Sequence, residues 1–311
     1  MRVLITGSGG MLGSAVYPAF VRSGHSVVAT DLVPRPEPGW PMGQLDVRDH
    51  NAVRSAVRES DPEIILHLAA ETDLERCETD RDHAYLTNAV GTQNVALVAA
   101  ERNLPLVYIS TAGVFDGTKE GEPYTEFDRP NPINVYGGSK YEGELIVQRA
   151  VGRHFIVRAG WMVGGRERDH KFVAKVVNQL RDGARMIYAV TDKFGTPTYT
   201  EDFAQNLLAL IATPYFGLYH MTCEGAGSRL DVARLIVEYY GRRDVEVIPV
   251  SSEFFAETYF APRPRSEMMR NYALQLRDLN LMRPWPQALR AYLDQAAFHI
   301  ERSSVGGVDT K

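Results

Sequence analysis

The chain has 311 residues, 44% hydrophobic and 23% charged, the balance of a globular protein with a large buried core rather than of a disordered or fibrous chain. Its net charge of -5, with both signs interspersed, leaves no basic stripe for a nucleic-acid backbone, so a polynucleotide partner is not expected. The two cysteines, Cys77 and Cys223, stand outside any CxxC or Cys/His array; neither a disulfide framework nor a metal site is expected, and a reducing cytoplasm fits.

In chain order, residues 3–6 read as a buried strand running straight into a glycine turn, which leaves no room for a signal peptide. No apolar run approaches the ~20 residues a bilayer span needs, and no membrane partner is expected. Further Val/Ile/Leu-rich runs fall at 26–29, 64–68, 106–110 and 155–157. Between them, at 11–23, 50–59, 82–102 and 136–150, apolar residues recur every three or four positions, as on one face of a helix. Strand and helix in alternation predict a parallel sheet covered on both faces, a Rossmann doubly wound α/β fold. After Gly160 the alternation loosens, with helices expected at 172–180 and 202–211 and a strand at 217–222. The expected division is a dinucleotide-binding domain over 1–165 to which 190–223 returns, and a smaller C-terminal α/β substrate-binding lobe formed by 166–189 and 224–302. A flexible tail is expected over 303–311.

The first strand leads into Gly7-Ser8-Gly9-Gly10-Met11-Leu12-Gly13 and then a helix, so backbone N–H groups and a helix N-terminus face an incoming anion. A dinucleotide pyrophosphate suits that turn. Asp31 ends the second strand, where its carboxylate can accept from the adenosine ribose hydroxyls; NAD(H) is therefore favoured, while nearby Arg35 leaves NADP(H) open. Asp31 could instead cap a turn. Asp46-Val47, after a short strand, can bracket the adenine, and Leu68-Ala69-Ala70 end the next strand with side chains small enough for a nucleotide to cross the sheet edge.

Tyr136 and Lys140 lie four apart at the start of a helix and so share a face. An ammonium beside a phenol lowers the phenol's pKa from about 10, which equips Tyr136 to exchange a proton with a carbonyl oxygen. Thr111, at the end of the strand over 106–110, can hydrogen-bond that oxygen. Its neighbour Ser110 must point to the opposite side of the sheet.

With these positions assembled, the chain resembles the extended short-chain dehydrogenase/reductases through Thr6-Gly-Ser-Gly-Gly-Met-Leu-Gly13, His67-Leu-Ala-Ala70, Asn88 and Tyr136-Gly-Gly-Ser-Lys140. Within them it looks most like the dTDP-4-dehydrorhamnose reductase branch, through Ser110-Thr-Ala-Gly-Val-Phe-Asp-Gly117, Pro123-Tyr-Thr-Glu126, Pro132-Ile-Asn-Val-Tyr136, Gly195-Thr-Pro-Thr198 and Arg263-Pro264. The resemblance implies an NAD(P)H-dependent reductase of a nucleoside-diphosphate 4-keto-6-deoxy sugar, with Thr111, Tyr136 and Lys140 as its triad. It also implies Asn88 near the cofactor and Thr72, Trp161 and Arg263 on the substrate side. Trp161 could equally be a core aromatic, and Arg263 could bind diphosphate or hold a surface loop. Ala112-Gly113 stand after Thr111 where a 4,6-dehydratase has an Asp-Glu pair. The alternatives are an epimerase using tightly held NAD, to which His67-Leu-Ala-Ala70 is closer, and a non-catalytic cofactor-binding module like the regulatory subunit of methionine adenosyltransferase. Pairing of exposed helices into a homodimer is a further expectation.

Overall fold

The computed structural model describes residues 1–119 and 121–296. Seven parallel strands form the main sheet: β1 (Arg2–Thr6), β2 (Ser26–Asp31), β3 (Met42–Gln44), β4 (Ile64–His67), β5 (Leu106–Thr111), β6 (His154–Ala159) and β7 (Gly217–Met221). Their order is β7-β6-β5-β4-β1-β2-β3. Because helices cover both faces, the central strands are apolar on both. Val3 and Ile5 of β1 enter the core on one side and Leu4 the core on the other, the two-residue period of a strand.

The first core is closed by the helices Gly13–Arg22 and Thr200–Ile211, which pack on each other and bring Phe20, Phe203 and Leu207 onto the sheet. The second is closed by His50–Ser60, Gly91–Glu101 and Val135–Ala150, with Val53, Val95 and Val147 facing Ile65 and Ile156. Helix starts follow local chemistry. Asp49, Asp73 and Asn134 each accept backbone N–H bonds at an N-terminus, and Ser228 and Asp231 form a reciprocal capping box.

The expected helix over 82–102 is built as Arg81–Tyr85, a π-helical turn Leu86–Val90 and Gly91–Glu101 in succession. β7 joins the main sheet beside β6. The remaining described chain carries a parallel pair, Met186–Val190 with Glu246–Val250, and a small three-stranded sheet of Phe194–Gly195, Gly227–Ser228 and Ser266–Glu267. Among the described residues no helix is long and apolar enough to cross a membrane, and no cluster of three or more His, Cys, Asp or Glu could hold a metal ion. The tail expected over 303–311, and the end of the lobe from 297, lie outside the described residues.

Candidate functional site

One cavity of about 1240 Å³ runs along the carboxyl edge of the sheet, from the glycine turn to the segment around residues 251–264. At one end Gly7 takes φ +69°, and a Cβ there would lie 2.5 Å from the backbone nitrogen of Ala69. The turn therefore passes against the Leu68–Ala70 edge with no space for a side chain. Gly9, Gly10, Met11 and Leu12 line the cavity, and the helix that starts at Gly13 has no side-chain cap. Its Ser14 and Ala15 N–H groups donate to the Gly10 and Leu12 carbonyls, while none of the turn's hydrogen bonds among the described residues engages the N–H of Met11 or Leu12, which suits an anion there. The hydroxyls of Ser8 and Thr87 are buried without partners, and Thr87 lies in the wall. These features fit a dinucleotide cofactor.

Asp31 also lines this end; its carboxylate accepts from Gly9 N–H at 2.9 Å and Val33 N–H at 3.1 Å. It thus holds the turn while presenting charge to the cavity. Asp46 is gripped by Arg48 at 2.7 Å, a hydrogen-bonded pair that holds its carboxyl below the usual range. Val47 is buried beside it in the same wall.

At the middle of the cavity β5 delivers Thr111 and the capped helix Val135–Ala150 delivers Tyr136. Asn134, which caps that helix by accepting from Gly137 N–H at 2.7 Å, also donates to the Pro262 carbonyl at 2.8 Å, tying the helix start to the opposite wall. Burial pushes the Tyr136 phenol up to about 12, partly offset by a hydrogen bond with Thr111. The expected polarisation by Lys140 is replaced by another arrangement. Lys140 is 3% exposed with its Nζ 4.1 Å from the centre of the Tyr108 ring, and burial pulls it down to about 7. The groups that move the phenol are burial, Thr111, Cys77 and Glu267.

Ser110 also borders the cavity, but its hydroxyl is taken up by Glu144, to which it donates at 2.5 Å. Glu144 in turn binds Arg158 through two contacts of 2.8 and 2.7 Å, an ion pair sealed beneath β5. Asn88, expected near the cofactor, stands one layer behind the wall. It is fully buried, with its amide joining Glu71 and Ser139. The π turn aims it there, while Thr92, one turn on, donates to the Asn88 carbonyl and meets buried His67 at 3.0 Å.

The far end holds Thr72, Trp161 and Arg263, all in the wall. Trp161 lies over Gly195, where a Cβ would come 2.2 Å from its ring, and donates from Nε1 to Glu267 at 2.7 Å. Arg263 is committed to Glu75 at 2.7 Å and to the Ala261 carbonyl. Three further wall residues, Lys171, Arg229 and Glu267, escaped the reading of the sequence. They come from separate segments, and no local spacing marks them; only a guanidinium and a carboxylate bordering otherwise apolar patterns hint at them.

A family model described as RmlD substrate binding domain matches residues 1–298. A dTDP-4-dehydrorhamnose reductase from Mycobacterium tuberculosis is 34% identical over 297 residues, 94% of this chain and 92% of the relative. The solved dTDP-4-dehydrorhamnose reductase of Clostridium acetobutylicum superposes with a TM-score of 0.86 at 35% identity, covering 95% of this chain and 99% of that one. That of Bacillus anthracis, in complex with NADP, gives a TM-score of 0.83 at 33% identity over 94% and 99%.

Proposed function

The chain belongs to the RmlD substrate binding domain family, and on that premise we propose that it is an NAD(P)H-dependent reductase of a nucleoside-diphosphate 4-keto-6-deoxy sugar. The observation that carries this reading is the convergence of Thr111, Tyr136 and Lys140 in the wall of one cavity, with the glycine turn at one end and Trp161 at the other. A bound nicotinamide supplies the hydride for C4 of the sugar.

The protein's share of the work is proton delivery. A phenol at about 12 is protonated at neutral pH, so Tyr136 rests in the donor form that reduction consumes. Thr111 stands beside the phenol and lowers its pKa, and its hydroxyl accepts from the Gly113 N–H at 3.0 Å. The carbonyl oxygen accepts from both hydroxyls, and the proton passes from Tyr136 as negative charge builds on that oxygen. Lys140, brought down by burial to about 7, keeps its proton in part of the molecules at neutral pH, and that ammonium offsets the phenolate charge once the phenol has given up its proton.

For the cofactor, the carboxylate of Asp31 favours NAD(H), with Arg35 in the same wall tempering the exclusion of a 2′-phosphate. The Bacillus anthracis relative bound NADP, so NADP(H) stays open. We place the reaction in the cytoplasm, where the buried thiols Cys77 and Cys223 stay reduced.

The test is direct. Incubation with dTDP-4-dehydrorhamnose and NADH or NADPH should oxidise the nicotinamide in proportion to sugar consumed. An epimerase would rearrange the sugar with no net oxidation, and absence of oxidation with a panel of 4-keto-6-deoxy sugar nucleotides would overturn the proposal.

A further inference from the structure

The cations toward the cavity's far end differ in their commitments. Arg263 is paired with Glu75, Lys193 donates to the Arg263 carbonyl at 2.8 Å, and Lys175 donates to the Tyr259 hydroxyl at 2.8 Å. The side chains of Arg229 and Lys171 make no hydrogen bond or ion pair among the described residues, yet both residues line the cavity. Arg229 opens the helix Arg229–Tyr239, and Lys171 immediately precedes the helix Phe172–Arg181.

The Arg229 guanidinium is seated by stacking rather than by charge. Its carbon lies 3.6 Å from the centre of the Trp161 ring and 5.1 Å from that of Phe172. These ring contacts use none of the guanidinium's N–H donors, which remain for bidentate recognition of phosphate. The nearby carboxylate, Glu267, is held by Trp161 Nε1 and neutralises neither cation by contact. Arg229 and Lys171 repel each other: burial, then that repulsion, lowers Lys171, and burial brings Arg229 down to about 10. Glu267 and Asp169 act on both cations only from a distance, so an anion with several oxygens that reaches the two side chains directly is stabilised there.

The position limits which anion. The cofactor's pyrophosphate belongs at the glycine turn, at the other end of the cavity. Arg229 lies against Trp161, which donates to Glu267, and so stands at the Trp161 end of the cavity. We propose that Arg229, assisted by Lys171, holds the diphosphate of the sugar nucleotide, an assignment that rests on the reading of this cavity as a sugar-nucleotide site. Arg263, with its charge committed to Glu75, serves instead to hold the 261–264 segment against the short helix Leu74–Thr79.

Calorimetric titration of the NADPH-loaded protein with dTDP, UDP and thymidine tests this. Arg229→Met should weaken dTDP binding about ten- to hundredfold, the worth of a charged hydrogen-bond pair, while leaving thymidine and NADPH affinity within about twofold. Arg229→Lys should retain part of the preference for dTDP over thymidine, and Lys171→Met should reduce it several-fold. Equal losses for dTDP and thymidine would make Arg229 a packing support for Trp161 and overturn the assignment. So would unchanged dTDP affinity in Arg229→Met, or a loss of dTDP binding confined to Arg263→Met. Should Arg229→Met fail to bind NADPH, a sign of misfolding, the lysine variant and Lys171→Met decide by the same comparison. Failure of the wild-type protein to bind either dTDP or UDP would sink the sugar-nucleotide reading itself, an outcome distinct from all of these.

Discussion

Replacing Glu144 by alanine removes one carboxylate and strands three groups at once. Glu144 is fully buried and accepts from Arg158 Nε at 2.8 Å, Arg158 Nη2 at 2.7 Å and Ser110 Oγ at 2.5 Å. Arg158, 1% exposed, would keep only a 3.4 Å contact with the His220 ring and the face of Phe115 at 5.1 Å. Breaking a buried pair from one side costs ~3–5 kcal/mol because it leaves a charge uncompensated. Replacing both partners by apolar residues of similar size, Glu144→Leu with Arg158→Met, should cost far less or even stabilise, since the desolvation penalty disappears with the charges. Urea denaturation of the cofactor-free protein, followed by intrinsic fluorescence, gives both values on one scale. A single substitution costing under ~1 kcal/mol, or a double substitution as damaging as the single one, would refute the claim that an uncompensated charge sets the penalty.

Three further outcomes are expected. Gly13→Ala would bring a Cβ to 2.2 Å from the Ser8 carbonyl, and since that obstacle is backbone the turn must shift; NADPH affinity measured by fluorescence should fall at least tenfold, whereas normal affinity would dismiss the cradle. Lys140 titrates near 7 in the folded chain but near 10.5 when unfolded. Between those values the unfolded state holds more protons, so stability should rise with pH by up to ~1.4 kcal/mol per unit. Lys140→Met should flatten that rise and abolish reduction, and denaturation midpoints from pH 6.5 to 9.5, on the order of the interval given by the linkage relation, check the slope. Asp31→Asn keeps an acceptor for Gly9 N–H but removes the charge; the NADPH-to-NADH ratio of kcat/KM should increase about tenfold, or ~1.4 kcal/mol, and an unchanged ratio would remove Asp31 from cofactor selection.

The parts of the site that lie close together in the chain are legible in its sequence. A strand, a glycine turn and a helix within the first 22 residues can fold in few ways, and Thr111 at a strand end reaches the cavity while the hydroxyl of its neighbour Ser110 is taken up by Glu144. What escaped was set by contacts across long separations. The π turn at Leu86–Val90 has the same apolar spacing as an ordinary helix, so nothing in the pattern reveals that Asn88 is drawn behind the wall to join Glu71 and Ser139. The seat of Lys140 over Tyr108 depends on a strand some 30 residues earlier. Arg229, Glu267 and Trp161 meet only because strand Phe194–Gly195 pairs with both Gly227–Ser228 and Ser266–Glu267.

The central claim is that Tyr136 completes a net reduction at C4 of a keto sugar nucleotide. Turnover of dTDP-4-dehydrorhamnose with NADPH carrying deuterium at the transferred position tests it most directly, with the product read by mass spectrometry and NMR. The account predicts one deuterium at C4 per nicotinamide oxidised, and a drop of about 10²- to 10⁴-fold in that rate for Tyr136→Phe. Product free of deuterium, label at another carbon, or a Tyr136→Phe enzyme as fast as wild type would contradict it.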